Sequence, residues 1–160
     1  MAEEIIDKFY GQYDELIELL ILHSRNVAER AMQVLDLHPE LNADRQFVYE
    51  AAMLHDIGII HTDAPSIGCK GNKPYICHGI LGAEMLRSIG LEKLARVAER
   101  HTGTGLTRLT IEKQGLPLPL HDFLPETIEE EIICFADKFY SKSHPERVKN
   151  ASQVREMLSR

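Results

Sequence analysis

Six residues of this chain could do chemistry together: His23, His55, Asp56, His78, His101 and Asp137. Each sits among apolar residues at helical spacing, where a polar group is costly. Leu16, Leu19, Leu20 and Val27 lie three, four or seven positions from His23, separations that share one helix face. Val48, Ala51 and Ala52 do the same for His55, and Tyr75, Leu81 and Met85 for His78. Leu94, Val97 and Ala98 lead to His101, while Ile133, Ala136 and Tyr140 surround Asp137. One inward histidine is ordinary, because a core can hydrogen-bond it. A lone aspartate on such a face costs on the order of several kcal/mol unless it is paired. Five helices that each turn a histidine or aspartate inward are best explained by shared cations. Imidazole nitrogen with carboxylate oxygen suits iron, manganese, zinc or nickel, and the lack of thiolate in the set argues against a structural zinc.

The other histidines serve as a control. His38 and His144 directly precede prolines, and His121 lies in the Pro-rich stretch "GLPLPLHDFLP". These read as surface or capping residues. His61 follows the His55–Asp56 pair closely and reads as structural, with the mouth of the site as its other place. Cys77, beside His78, reads as a packed thiol because no activating pair is near it in sequence.

The elements that must position these groups are nearly all helical, and no alternating strand is evident. A long helix is expected over 14–37, closed where Pro39 disfavours helix at His38. Asn42 or Asp44 caps a second through Ile57, with Gly58 as a left-handed stop. The stretch "HTDAPSIGCKGNKP" reads as a loop. A third helix follows Pro74 to about residue 89 and ends at Gly90. A fourth runs over 91–101 and breaks at "GTG". A short one is expected over 107–114. Pro125 starts the next, with Glu126, Glu129 and Glu130 in its first turn, and "VREMLSR" forms a last short helix.

Length and charge bound the rest. The 160 residues suit a single domain over 1–160, with 44% hydrophobic and 27% charged residues, ordinary for a globular chain. A formal net charge of −7 argues against a nucleic-acid duplex or an anionic membrane as partner. No apolar run approaches a membrane span, and "MAEEIIDKFYGQ" lacks a signal-peptide pattern. Cys69, Cys77 and Cys134, odd in number and without CxxC spacing, read as free thiols. The expected location is therefore cytoplasmic.

In order and spacing, the six residues resemble the HD-domain superfamily, in particular its HDIG members: His23 in the first long helix, "HD" within "AAMLHDIGI" at 51–59, then His78, His101 and Asp137 in "FADKFY". The resemblance implies an all-α fold, an HD-domain helical bundle of five core helices with additional short helices. It implies two divalent cations (Fe, Mn, Zn, Ni or Mg). His23, His55, Asp56 and Asp137 would hold the first, His78 and His101 the second, and Asp56 would bridge them. It further implies a phosphohydrolase that activates water against a small phosphorylated substrate such as a nucleotide. Candidate catalytic residues are His55, Asp56, Lys70 and Lys73. Candidate phosphate contacts are Lys70 and Lys73, with Arg25, Arg108 and Lys138. An isoleucine directly follows HDIG where many HDIG hydrolases carry a lysine, and the chain lacks the "GYP" signature of cyclic-dinucleotide phosphodiesterases. The ligand order also resembles HD-type diadenosine tetraphosphate hydrolases. The same ligands occur in HD-type di-iron oxygenases similar to inositol oxygenase, which is the alternative reading. A metal-binding regulatory HD module is a third.

Overall fold

A computed structural model describes residues 1–144 and 147–158. Among these residues the chain forms α1 (Ala2–Tyr10), α2 (Asp14–Leu37), α3 (Arg45–Leu54), α4 (His78–Arg87), α5 (Glu92–Arg100), α6 (Arg108–Gln114), α7 (Ile128–Asp137) and α8 (Ala151–Leu158). Of the expected terminal helix, Ser159 and Arg160 lie outside the described residues. The described architecture is helical, with one two-stranded antiparallel ribbon of β1 (Asp63–Ala64) and β2 (Cys69–Lys70). That ribbon corrects the expectation of a plain loop there. No helix among the described residues is long and apolar enough to cross a membrane.

α2 is the spine. Its buried residues Leu16, Leu20, His23, Ser24, Val27, Ala28, Ala31 and Leu35 recur every three or four positions, so one stripe runs the helix's length. α3 and α7 pack on this stripe, and α4 packs across α5 and the 3-10 turn Ile57–His61. α3 begins as expected at Asp44, whose carboxylate accepts from the Phe47 N–H at 3.1 Å.

Three boundaries differ from expectation. α3 ends at Leu54, and Gly58 is not left-handed. Instead, a Cβ on Gly58 would lie 2.0 Å from the His78 carbonyl oxygen and 2.3 Å from the Gly82 nitrogen. Glycine is needed there for close approach to α4. Second, α7 starts after Thr127 rather than at Pro125, because Thr127 and Glu130 form a reciprocal cap. The Thr127 hydroxyl accepts from the Glu130 N–H at 3.1 Å, and the Glu130 carboxylate accepts from the Thr127 N–H at 3.2 Å. Third, α1 precedes the expected first helix. Its Ile6 and Tyr10 are fully buried. The Tyr10 hydroxyl donates to the Ile57 carbonyl and accepts from the Ile60 N–H, clamping the turn that follows Asp56.

Candidate metal centre

Five helices deliver the six donors to one place. His23 projects from the middle of α2; His55 and Asp56 follow the last residue of α3; His78 opens α4; His101 follows α5; and Asp137 ends α7. His23, His55, Asp56, His78 and His101 are buried, and the Asp137 side chain keeps 19% exposure. The C-terminal ends of α3, α5 and α7 therefore converge here. Their unpaired carbonyls make the potential negative, which favours a cation.

The donors fall into two groups that share Asp56. In the first, Oδ2 of Asp56 lies 3.1 Å from Nε2 of both His23 and His55, and Oδ1 of Asp137 lies 3.0 and 3.1 Å from the same two nitrogens. In the second, Oδ1 of Asp56 lies 3.3 Å from Nε2 of His78 and 3.2 Å from Nε2 of His101. The two carboxylate oxygens of Asp56 thus face different groups.

Ring orientation shows what the cluster requires. The Nδ1 atoms of His55, His78 and His101 lie 2.6, 2.6 and 2.7 Å from the carbonyl oxygens of Ala52, Tyr75 and Ala98, each three residues earlier. A carbonyl only accepts, so each Nδ1 carries a proton, and a ring presents an Nε2 lone pair inward whenever it is neutral. Nε2 of His78 and Nε2 of His101 then meet at 3.1 Å, two acceptors face to face. Such a contact needs a positive charge between or beside the rings. Both Asp56 oxygens are buried without a well-formed hydrogen bond. Donors about 2.1 Å from a cation and at right angles lie roughly 3 Å apart, close to the observed spacings. The residues present fit a pair of cations.

Without a cation the charges are balanced internally. Burial would raise the Asp56 carboxyl, but the His55 imidazole and the Lys142 ammonium beside it hold it well below the usual range. Burial likewise opposes the Asp137 charge, and His23 and His55 outweigh it. Burial disfavours a charge on His55, yet Asp56 and Asp137 push that imidazole up to about 10. For His101 burial wins over Asp56 and lowers it to about 4.

The basic residues proposed as phosphate contacts are placed differently. Arg25 pairs with Glu3 of α1 at 2.6 Å. Lys70 is exposed and lines a surface hollow with Phe9, Tyr13 and His61. Lys73 is exposed beside the Cys77 thiol. Arg108 is exposed, and its backbone N–H donates to Asp122 at 2.8 Å. None of the four makes an ion pair with Asp56 or Asp137 among the described residues. Lys138 is buried, and its Nζ donates to the carbonyls of Cys134 at 2.6 Å and His101 at 3.3 Å. It pins the ends of α5 and α7 together. His61 is exposed in the hollow with Lys70, His38 pairs with Glu40 at 2.9 Å, and His121 packs on Phe123.

One basic residue does reach the cluster. Lys142 Nζ lies 2.7 Å from Oδ2 of Asp56, with 12% of its side chain exposed. Tyr75 stacks on His78 with ring centroids 4.5 Å apart, and the Lys142 ammonium lies 5.5 Å from the Tyr75 centroid. The only sequence signal for Lys142 is its nearness to Asp137. The turns of 137–140 carry it back over the site, and periodicity does not encode such a path.

Residues 20–141 match the HD domain family. The chain is 38% identical over 138 residues to tRNA (cytidine(56)-2'-O)-methyltransferase of Picrophilus torridus, across 86% of this chain and 35% of that protein. It is 32% identical over 133 residues to the protein of the same name from Thermoplasma volcanium, across 82% and 33%. It is 39% identical over 126 residues to an uncharacterised protein of Methanocaldococcus jannaschii, across 72% and 67%. The chain therefore spans about a third of the two methyltransferases and about two thirds of the third relative. No solved structure matches the chain significantly. All six donors fall inside the matched span, and the chain belongs to the HD domain family.

Proposed function

We propose that the protein is a cation-dependent phosphohydrolase acting on a small phosphate ester such as a nucleotide. The observation that carries this reading is the sharing of Asp56 between two donor groups, the arrangement expected of a two-cation site. Bound there, divalent cations would supply Lewis acidity toward a phosphoryl oxygen and bring the pKa of water toward neutrality.

The chain's own groups provide the rest. His23, His55 and Asp137 would hold one cation, His78 and His101 the other, and Asp56 both. The Nδ1 anchors on Ala52, Tyr75 and Ala98 keep three rings from turning. Asp137 borders a hollow of about 660 Å³ that is also lined by Tyr75, Ser141, Lys142, Ser143 and Lys149. A phosphate entering it would meet lysines and hydroxyls on the wall, with Asp137 of the donor cluster at its border. HD-family membership supports the reaction class. The net charge of −7 supports a small substrate over a nucleic-acid duplex. We assign to this chain none of the methyl transfer named for the longer relatives, because it spans a third of them and its own site is a cluster of cation donors.

The test is phosphate release from a panel of nucleotides and simple phosphate esters, using metal-free protein and protein loaded with manganese, iron or zinc. Turnover should require the metal and vanish in Asp56→Asn. Equal turnover after chelation would reject the reading, and oxygen uptake without phosphate release would assign the site to oxygenase chemistry.

A further inference from the structure

We propose that Lys142 is an exchangeable counter-ion. In the cation-free protein its ammonium holds Asp56; once a cation takes that carboxylate, the same lysine turns into the adjoining hollow and binds the substrate's phosphate. The inference rests on the phosphohydrolase reading above.

Three observations carry it. First, the ammonium sits 2.7 Å from the same Oδ2 of Asp56 that faces Nε2 of His23 and His55. A cation drawn to that oxygen and the Lys142 ammonium would repel each other at close range. Second, Lys142 has somewhere to go. Its side chain is 12% exposed and lines the hollow of about 660 Å³ that Asp137 borders. A lysine stem is flexible and its head carries three rotatable donors, so a few torsions move the charge without moving the backbone. Third, the hollow suits a phosphate. Ser141 and Ser143 lie there with their hydroxyl oxygens 3.0 Å apart, and Lys149 lines the same wall. Lys138 also borders it, but two backbone carbonyls hold its ammonium. Lys142, ion-paired and without a carbonyl anchor among the described contacts, is the mobile one. Its placement also answers the isoleucine that directly follows HDIG, since a phosphate-binding lysine need not come from that turn.

The exchange predicts opposite effects on two ligands. Mn²⁺ is titrated into wild type, Lys142→Ala and Lys142→Met, with free Mn²⁺ read by paramagnetic resonance. Inorganic phosphate is then titrated calorimetrically into each Mn²⁺-loaded protein. Both variants should bind Mn²⁺ about tenfold more tightly and phosphate about tenfold more weakly. A third measurement needs no variant. Acetylation of Lys142 in wild type, read by mass spectrometry, should rise several-fold on Mn²⁺ loading and fall again with phosphate. Unchanged or weaker Mn²⁺ binding in the variants overturns the inference, as does unchanged phosphate affinity or unchanged labelling. A purely structural lysine would weaken both ligands together. If wild type itself fails to bind Mn²⁺, the cation reading falls as well, so the two failures are distinguishable.

Discussion

At the scale of single residues, the cluster behaves as a charge-balanced unit in which protons stand in for cations. His55 is pushed up to about 10 between Asp56 and Asp137, so near pH 7.5 its Nε2 carries a proton in the cation-free protein. A cation bound by that nitrogen must expel it. Loading the first group at pH 7.5 should therefore release about one proton. Calorimetry in buffers of different ionisation enthalpy would show it; uptake independent of buffer would refute the assignment. Because the two donor groups share only Asp56, substitutions should also separate the ions. His78→Gln should lower bound metal from two equivalents to one. Asp56→Ala should weaken both sites by more than roughly 100-fold, beyond what outer-shell partners typically cost. Elemental analysis after gel filtration reads both. The six donors were legible in the sequence because each interrupts an apolar stripe, and a polar residue on such a stripe demands a reason. The basic groups near the cluster left no such trace. Arg25, Lys70, Lys73 and Arg108 are solvated or paired elsewhere, and Lys142 reaches Asp56 through a turn that leaves no periodic trace.

At the scale of elements, the site depends on how closely α4 approaches the turn after Asp56. The backbone of Gly58 runs so near His78 and Gly82 that a methyl group would sit 2.0 Å from a carbonyl oxygen. Relief would require α4, which carries His78, to move away. Gly58→Ala should cost at least about 1–3 kcal/mol of stability and should weaken the His78–His101 site more than the His23–Asp137 one. Denaturant unfolding and metal stoichiometry together test this. Loss of stability with both sites equally intact would show that the glycine serves packing alone. By contrast, Thr127→Ala removes the N-terminal cap of α7 at the end opposite Asp137. It should cost about 1 kcal/mol and leave metal affinity unchanged. The long α2 was readable to its ends because its apolar stripe and the Pro39 stop are strong local signals. The role of Gly58 was not legible, because sequence reports a glycine's freedom but not the neighbour that needs its missing Cβ. α1 carries Ala2, Ile6 and Tyr10 at intervals of four, a face one could have read. Its role in clamping Ile57 and Ile60 depends on a contact across about fifty residues.

At the scale of the whole molecule, the cations would be cross-links. Residues from α2, α3, α4, α5 and α7 or their ends meet at one point, so a bound pair would join five helices of the bundle. The apolar core supplies the driving force for bringing the helices together. It also brings two carboxylates, four imidazoles and an ammonium into a buried space, where they are costly unless compensated. Arg87, Arg96 and Arg100 bind Glu92, Glu99, Glu126 and Glu130 along the outer faces of α4, α5 and α7. Much of that network is solvated and contributes modestly. The compensation that matters lies inside. An ion that binds only the folded state at a free concentration of 100 times its Kd stabilises by about 2.7 kcal/mol. In a chain of this size each kcal/mol moves Tm by roughly 2–4 °C. Chelation should therefore lower Tm by about 5–10 °C, and adding back metal should restore it. Asp56→Asn should melt at the same temperature with and without chelator, because the shared donor is compromised. That variant also leaves the buried Lys142 ammonium and His55 imidazole without their carboxylate partner, so it should melt below chelated wild type. Scanning calorimetry on the four samples decides the matter. A wild-type Tm indifferent to chelator would mean that the converging donors are held together by their protons and Lys142 alone, and that this bundle closes without cations.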